Sequence, residues 1–119
     1  MLFLCYSRCS TCKKAKDWLD RHNIPYTLRD IKEDHPTREE LVAWHQKSGL
    51  PLKKFFNTSG QLYRSLSLSK KMPDLSDAEK YDLLASDGMM VKRPLVITED
   101  GVLVGFKEAD WAEALTGQN

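Results

Sequence analysis

Two cysteines three residues apart, in the run Tyr6-Ser7-Arg8-Cys9-Ser10-Thr11-Cys12-Lys13-Lys14, carry the clearest chemical signal in the chain. The thiolate is the nucleophilic form of cysteine, and a second thiol within reach can displace an adduct by closing an internal disulfide. A helical pattern begins at the pair, with Cys12, Ala15, Trp18, Leu19 and His22 on one face. Cys9 therefore falls in the loop before the helix and Cys12 in its first turn, which Ser10 or Thr11 can cap. A helix start has unpaired N–H donors and about half a positive charge, both favouring an anion. Lys13 and Lys14 in that turn oppose the helix dipole and, with Arg8, add field at a Cys9 thiolate. Cys9 and Cys12 are the catalytic candidates, with Arg8 and Lys13 as activating groups.

A C-x-x-C can also be half a zinc site or two inert cysteines. The second ligand pair that zinc needs is missing, since His22, His35 and His45 are scattered. The placement at a helix start favours redox work over inertness. Cys5, flanked by Leu4 and Tyr6 in an apolar run, reads as a small buried hydrophobe. A second signal is Lys92-Arg93-Pro94-Leu95. A proline directly before a buried strand is a place for a cis peptide, which would turn Arg93 toward Cys9. There the guanidinium could hold an oxyanion or support the thiolate. Tyr6 and Tyr63 are candidates to border the thiol pocket.

The elements that must position these groups follow from periodicity. Leu2–Tyr6 reads as a buried strand, and Ile24–Leu28 as a second strand parallel to it across the helix. Thr37-Arg38-Glu39-Glu40 and Ser76-Asp77-Ala78-Glu79 are capping boxes that open two helices, the first closed at Gly49 and the second near Gly88. Leu62, Tyr63 and Leu66 suggest a short amphipathic helix between them, and Phe55 and Phe56 read as core. Glu99-Asp100-Gly101 between two apolar runs predicts a hairpin, and a last helix spans roughly Glu108 to Leu115. The sum is an α/β chain with a mixed four-stranded sheet in the order βαβ…ββα and a helical insertion over about residues 36–88. That is a thioredoxin-like outline. A length of 119 residues fits one domain, 1–119.

Eighteen basic against seventeen acidic residues argue against a broad nucleic-acid or membrane surface. The first residues lack the charged and apolar regions of a signal peptide, and no apolar run approaches bilayer length. Three cysteines are too few and odd for a disulfide framework. These features together predict a soluble cytoplasmic monomer with no metal.

The thiol run, with Ile24-Pro25-Tyr26, Arg29-Asp30-Ile31, Arg93-Pro94-Leu95 and Gly105-Phe106, resembles the arsenate reductase-like family. That family includes glutaredoxin-coupled arsenate reductases and the Spx redox-sensing transcription regulators. The resemblance covers nearly the whole chain. It implies a thioredoxin-like core, a nucleophile at Cys9 and an arginine on a cis-proline, Arg93 on Pro94. It also implies no cofactor beyond an external thiol reductant, either glutathione with glutaredoxin or thioredoxin, and a small oxyanion or disulfide as substrate. The reductases hold their anion with three arginines, and Asn57 and Phe106 stand near two of those positions, leaving Lys107 or Arg64 to compensate. Cys12 departs from the glutaredoxin-coupled enzymes and is similar to the Spx pair. In the Spx manner, such a disulfide would switch binding to the RNA polymerase α subunit.

Overall fold

The computed structural model describes residues 1–117. Leu2–Cys5 (β1) lies inside the sheet, paired in parallel with Thr27–Asp30 (β2) and antiparallel with Leu95–Ile97 (β3). Val102–Val104 (β4) closes the far edge against β3, giving the order β2-β1-β3-β4. Alternation along β1 divides its side chains between two cores. Phe3 faces one layer, built by Ser10–Arg21 (α1) and Glu108–Thr116 (α6), where Ala15, Trp18, Leu19, Val96 and Trp111 are buried. Leu4 faces the other, where the segment between β2 and β3 packs. This is the mixed, thioredoxin-like sheet that the sequence predicts.

The intervening segment contains Arg38–Ser48 (α2), Gln61–Ser65 (α3), Leu68–Lys71 (α4) and Asp77–Ser86 (α5), with 3-10 turns at Leu52–Phe55, Met72–Asp74 and Gly88–Met90. Both capping boxes form: the Glu40 and Glu79 N–H groups donate to the Thr37 and Ser76 hydroxyls, and each carboxylate accepts from its cap N–H. Gly49 ends α2 in the left-handed region at φ 67°. Phe55 and Phe56 are buried as expected, but Leu66 is 39% exposed, because α3 ends at Ser65 before its turn reaches the core. The second strand also begins later than the sequence suggests. Ile24 is held by its N–H to the Leu19 carbonyl, so Ile24 and Pro25 belong to the connection.

The insertion is fastened to the sheet by Arg29 of β2, whose guanidinium takes both Glu40 carboxylate oxygens at 2.7 and 2.9 Å. This paired hydrogen bonding with Arg29 holds the Glu40 carboxyl at about 2, below its ordinary value of 4.5. Because the folded value is the lower one, the contribution is full above pH 4.5 and is lost as pH falls toward 2. Glu40→Gln is expected to flatten the stability–pH slope between those limits, measured by urea unfolding at each pH. Gly88 meets β2's continuation even more closely: a Cβ there would stand 1.7 Å from the Ile31 carbonyl oxygen. Gly88→Ala is expected to cost about 3 kcal/mol in urea unfolding, whereas Gly101→Ala, with open space around it, should change stability by less than about 0.5 kcal/mol.

Candidate thiol site

The loop from Tyr6 to Cys9 leaves β1 and turns directly into α1. The Cys9 N–H donates to the Tyr6 carbonyl at 3.0 Å, which closes the turn. Cys9 itself is the N-cap of α1. Its backbone is extended, at φ −96° and ψ 118°, and its Sγ accepts the Cys12 N–H at 3.4 Å. The cap is therefore a sulfur, not the hydroxyl of Ser10 or Thr11. Those hydroxyls lie one and two positions too late, already inside the helix, while the residue in extended geometry is Cys9. A cap position ordinarily goes to an oxygen acceptor; here the unpaired N–H of the helix is aimed at the sulfur that would carry the charge.

Cys12 lies on the inward face of α1, one turn before Ala15, and is only 2% exposed. Its Sγ accepts the Tyr6 N–H at 3.3 Å. Interaction with the neighbouring Cys5 thiol, together with burial, pushes the Cys12 thiol far above the ordinary thiol range. The same interaction pulls Cys5 below its ordinary value. Cys5 packs on the apolar core as its neighbours in sequence suggest, but it is not fully buried. It is partly exposed, and it sits on the Phe3 side of β1, against the layer that contains α1. All three cysteines are free thiols. Among the described residues no cluster of acids, histidines and cysteines is arranged to hold a metal ion.

The second half of the site comes from the loop before β3. Leu4 pairs with Leu95, so the residues preceding β3 run alongside those following β1. Pro94 thereby comes level with Cys5, and Arg93 with Tyr6. The Arg93–Pro94 peptide bond is cis. Arg93 Cζ stands 5.3 Å from the centre of the Tyr6 ring, a cation–π contact. Its Nε and one terminal nitrogen, Nη1, are buried without a hydrogen-bond partner among the described residues. Two buried donors without an acceptor carry a desolvation cost that a bound anion would relieve. Lys32 also approaches the Tyr6 ring, at 6.0 Å, and sequence reasoning did not single it out.

The remaining candidates divide. Arg8 and Lys13 are exposed at the mouth of the helix and close no ion pair among the described residues. Lys14 faces a cleft with Asp17, Asp20 and Glu108. Arg64 donates to the Ser59 carbonyl at 2.7 Å. Lys107 lines a groove with Lys53, Lys54 and Lys92. Phe106 is occupied elsewhere, packed edge-on against Trp111 with ring centres 4.9 Å apart. Tyr63 packs on Phe56 in the insertion core.

A Cys-x-x-Cys at the first helix of a mixed four-stranded sheet, beside an arginine on a cis-proline, defines a thioredoxin-like thiol protein. Within that class the chain belongs to the ArsC family, whose model matches residues 4–114. It is 50% identical over 113 residues to YusI of Bacillus subtilis (strain 168), itself uncharacterised, covering 95% of this chain and 96% of that one. It is 29% identical over 100 residues to the global transcriptional regulator Spx of Staphylococcus saprophyticus, covering 84% of this chain and 75% of the regulator. Among solved structures, an ArsC family related protein from Bacteroides fragilis superposes with a TM-score of 0.92 at 58% identity, covering 94% of each chain. A protein from Streptococcus mutans UA159 described as a possible arsenate reductase gives a TM-score of 0.84 at 46% identity, covering 92% of this chain and 94% of that one.

Accessibility sorts the three thiols. Brief iodoacetamide treatment of the native protein is expected to alkylate Cys9 and Cys5 and spare Cys12, which should react only after unfolding. Peptide mass mapping checks this, and labelling of native Cys12 at the rate of Cys9 would contradict the buried placement.

Proposed function

We propose that the protein is a thiol–disulfide oxidoreductase of the ArsC family in which Cys9 is the nucleophile and Cys12 the resolving thiol. The observation that carries this reading is the Cys9 sulfur at the N-cap of α1, facing the Cys12 N–H. A Cys9 thiolate attacks one sulfur of a disulfide substrate, and the other sulfur leaves with the bonding electron pair. Cys12 then attacks Cys9 Sγ, closing the internal disulfide and releasing the second substrate thiolate. An external dithiol, or two molecules of a monothiol, returns both cysteines to the reduced state and is itself oxidised. Glutathione with glutaredoxin, or thioredoxin, supplies those electrons in the cytoplasm. Arg93 binds the anionic part of the substrate through its free N–H donors, and Arg8 and Lys13 add positive field at the loop.

Arsenate is a second substrate for the same chemistry, supported by the likeness to the S. mutans protein. The Cys9 sulfur would join arsenic with loss of hydroxide, and attack of a thiol on Cys9 Sγ would leave the sulfur–arsenic electron pair on arsenic, yielding arsenite. Asn57 and Phe106 offer no guanidinium, so the anion is held by one arginine where three are expected. Each missing charge-assisted hydrogen bond costs about 1.5–3 kcal/mol. Disulfides are therefore the preferred substrate and arsenate a poor one. Regulation in the Spx manner is the alternative, supported by the 29% identity to Spx. Capture of the RNA polymerase α subunit by the oxidised chain, but not the reduced one, would favour it.

Turnover of a small disulfide and of arsenate, each with glutathione/glutaredoxin and with thioredoxin, decides between these readings. Cys9→Ser is expected to reduce disulfide turnover at least about 100-fold. Cys12→Ser is expected to trap a Cys9 mixed disulfide visible by intact mass. Arg93→Ala should raise KM for a carboxylate-bearing disulfide by roughly tenfold, the loss of one charge-assisted contact. Full turnover by Cys9→Ser would defeat the assignment.

A further inference from the structure

Cys5 has no part in that two-cysteine scheme, yet the fold brings it to the same place. Along β1, Phe3 and Cys5 share the face that packs on α1. Along α1, Cys12, Ala15 and Leu19 share the face that packs on β1. The two patterns meet at the end of the strand where the helix begins, and the contacts agree. The Tyr6 N–H, on the residue next to Cys5, reaches Cys12 Sγ at 3.3 Å, and the Cys5 and Cys12 thiols shift one another's titration in opposite directions. Cys12 therefore lies between two cysteines: Cys9, whose sulfur accepts its backbone N–H, and Cys5, next to the Tyr6 N–H that the Cys12 sulfur accepts.

We propose that Cys5 is a third redox thiol, which takes Cys12 over from Cys9 by thiol–disulfide exchange and leaves an internal Cys5–Cys12 disulfide beside a free Cys9. The proposal rests on Cys9 being the entry nucleophile. Cys5 reacts from its thiolate form, and as Cys12 attacks the Cys9 adduct that thiolate takes up the Cys12 proton. Cys5, partly exposed, gives that proton up to water. The Cys5 thiolate then attacks Cys12 Sγ. A Cys5–Cys12 bond forms, the Cys9–Cys12 bond breaks, and its electron pair leaves on Cys9. The exchange has no net oxidation, so the only oxidant is the disulfide substrate consumed at Cys9. The gain is functional: Cys9, at the mouth of the helix, is free again while the oxidising equivalent is stored between strand and helix. A reductant must then reach Cys5, the more accessible end of the stored bond.

The sequence makes the test direct, because Arg8 separates Cys5 from the other two cysteines. Trypsin yields Met1–Arg8 with Cys5 and Cys9–Lys13 with both Cys9 and Cys12. The full chain is oxidised with glutathione disulfide, free thiols are blocked with N-ethylmaleimide at timed intervals, and the peptides are mapped by tandem mass spectrometry. The expected course is a looped 9–13 peptide early, replaced by a cross-linked pair joined through Cys5 and Cys12 with Cys9 carrying the maleimide. Cys5→Ser should stop at the loop, and Cys9→Ser should form the cross-link at least about tenfold more slowly. A wild-type chain that ends at the loop with no cross-link overturns the relay and leaves the Cys9–Cys12 reading standing. A cross-link that forms as fast in Cys9→Ser as in wild type, or no internal disulfide at all, overturns both. The wild-type map alone decides the matter if a variant fails to fold.

Discussion

The antiparallel pairing of β1 with β3 is the constraint from which the site follows. It sets Leu4 against Leu95 and so brings the loop after one strand alongside the loop before the other. The thiols come from the first loop and its helix, and the guanidinium from the second. Neither could approach the other through local structure, since about eighty residues lie between them. A slip of one residue would turn Leu4 and Leu95 off their core and take Arg93 out of line with Tyr6. The burial of both leucines against the insertion opposes that slip, so hydrophobic packing on one face fixes the geometry of the candidate site at the end of the sheet.

Electrostatics at the site rest on incomplete pairing. Elsewhere in the chain, cations meet carboxylates: Arg29 with Glu40, Arg38 with Asp82, Lys16 with Asp20. Around the thiols, Arg8, Lys13 and Arg93 close no ion pair among the described residues, and α1 has no acid in its first turn. Arg93 is the extreme case, with a partly desolvated guanidinium that has an aromatic face for company. A buried donor without an acceptor costs stability. The arrangement leaves positive charge at this end of the sheet that no carboxylate among the described residues balances.

Much of this was legible in the residues. The two capping boxes, the Asp100-Gly101 hairpin and the helix face beginning at Cys12 are local signals, and local signals survive folding when burial agrees with them. The Arg93-Pro94 dipeptide was legible too, because few backbone choices are open to a proline entering a buried strand. What failed was tertiary. Cys5 read as fully buried because its sequence neighbours are apolar, yet it is partly exposed on the strand face toward α1, a placement visible only when two periodicities are overlaid. The cap was assigned to hydroxyls by residue preference, whereas the position of the chain turn decided for Cys9. Phe106 could be placed as a missing arginine, but not as a ring in an aromatic cluster, until α6 was seen to fold against α1.

That cluster has a practical consequence. Trp18 of α1 stands edge-on to Trp111 of α6, ring centres 6.0 Å apart, with Phe106 against both and His22 stacked on Trp18 at 4.1 Å. Indoles locked at near right angles couple their transition dipoles and give near-ultraviolet circular dichroism that a loosened pair loses. Since Trp18 rides on the same helix as the thiols, the chain contains its own optical gauge of how firmly that helix is seated.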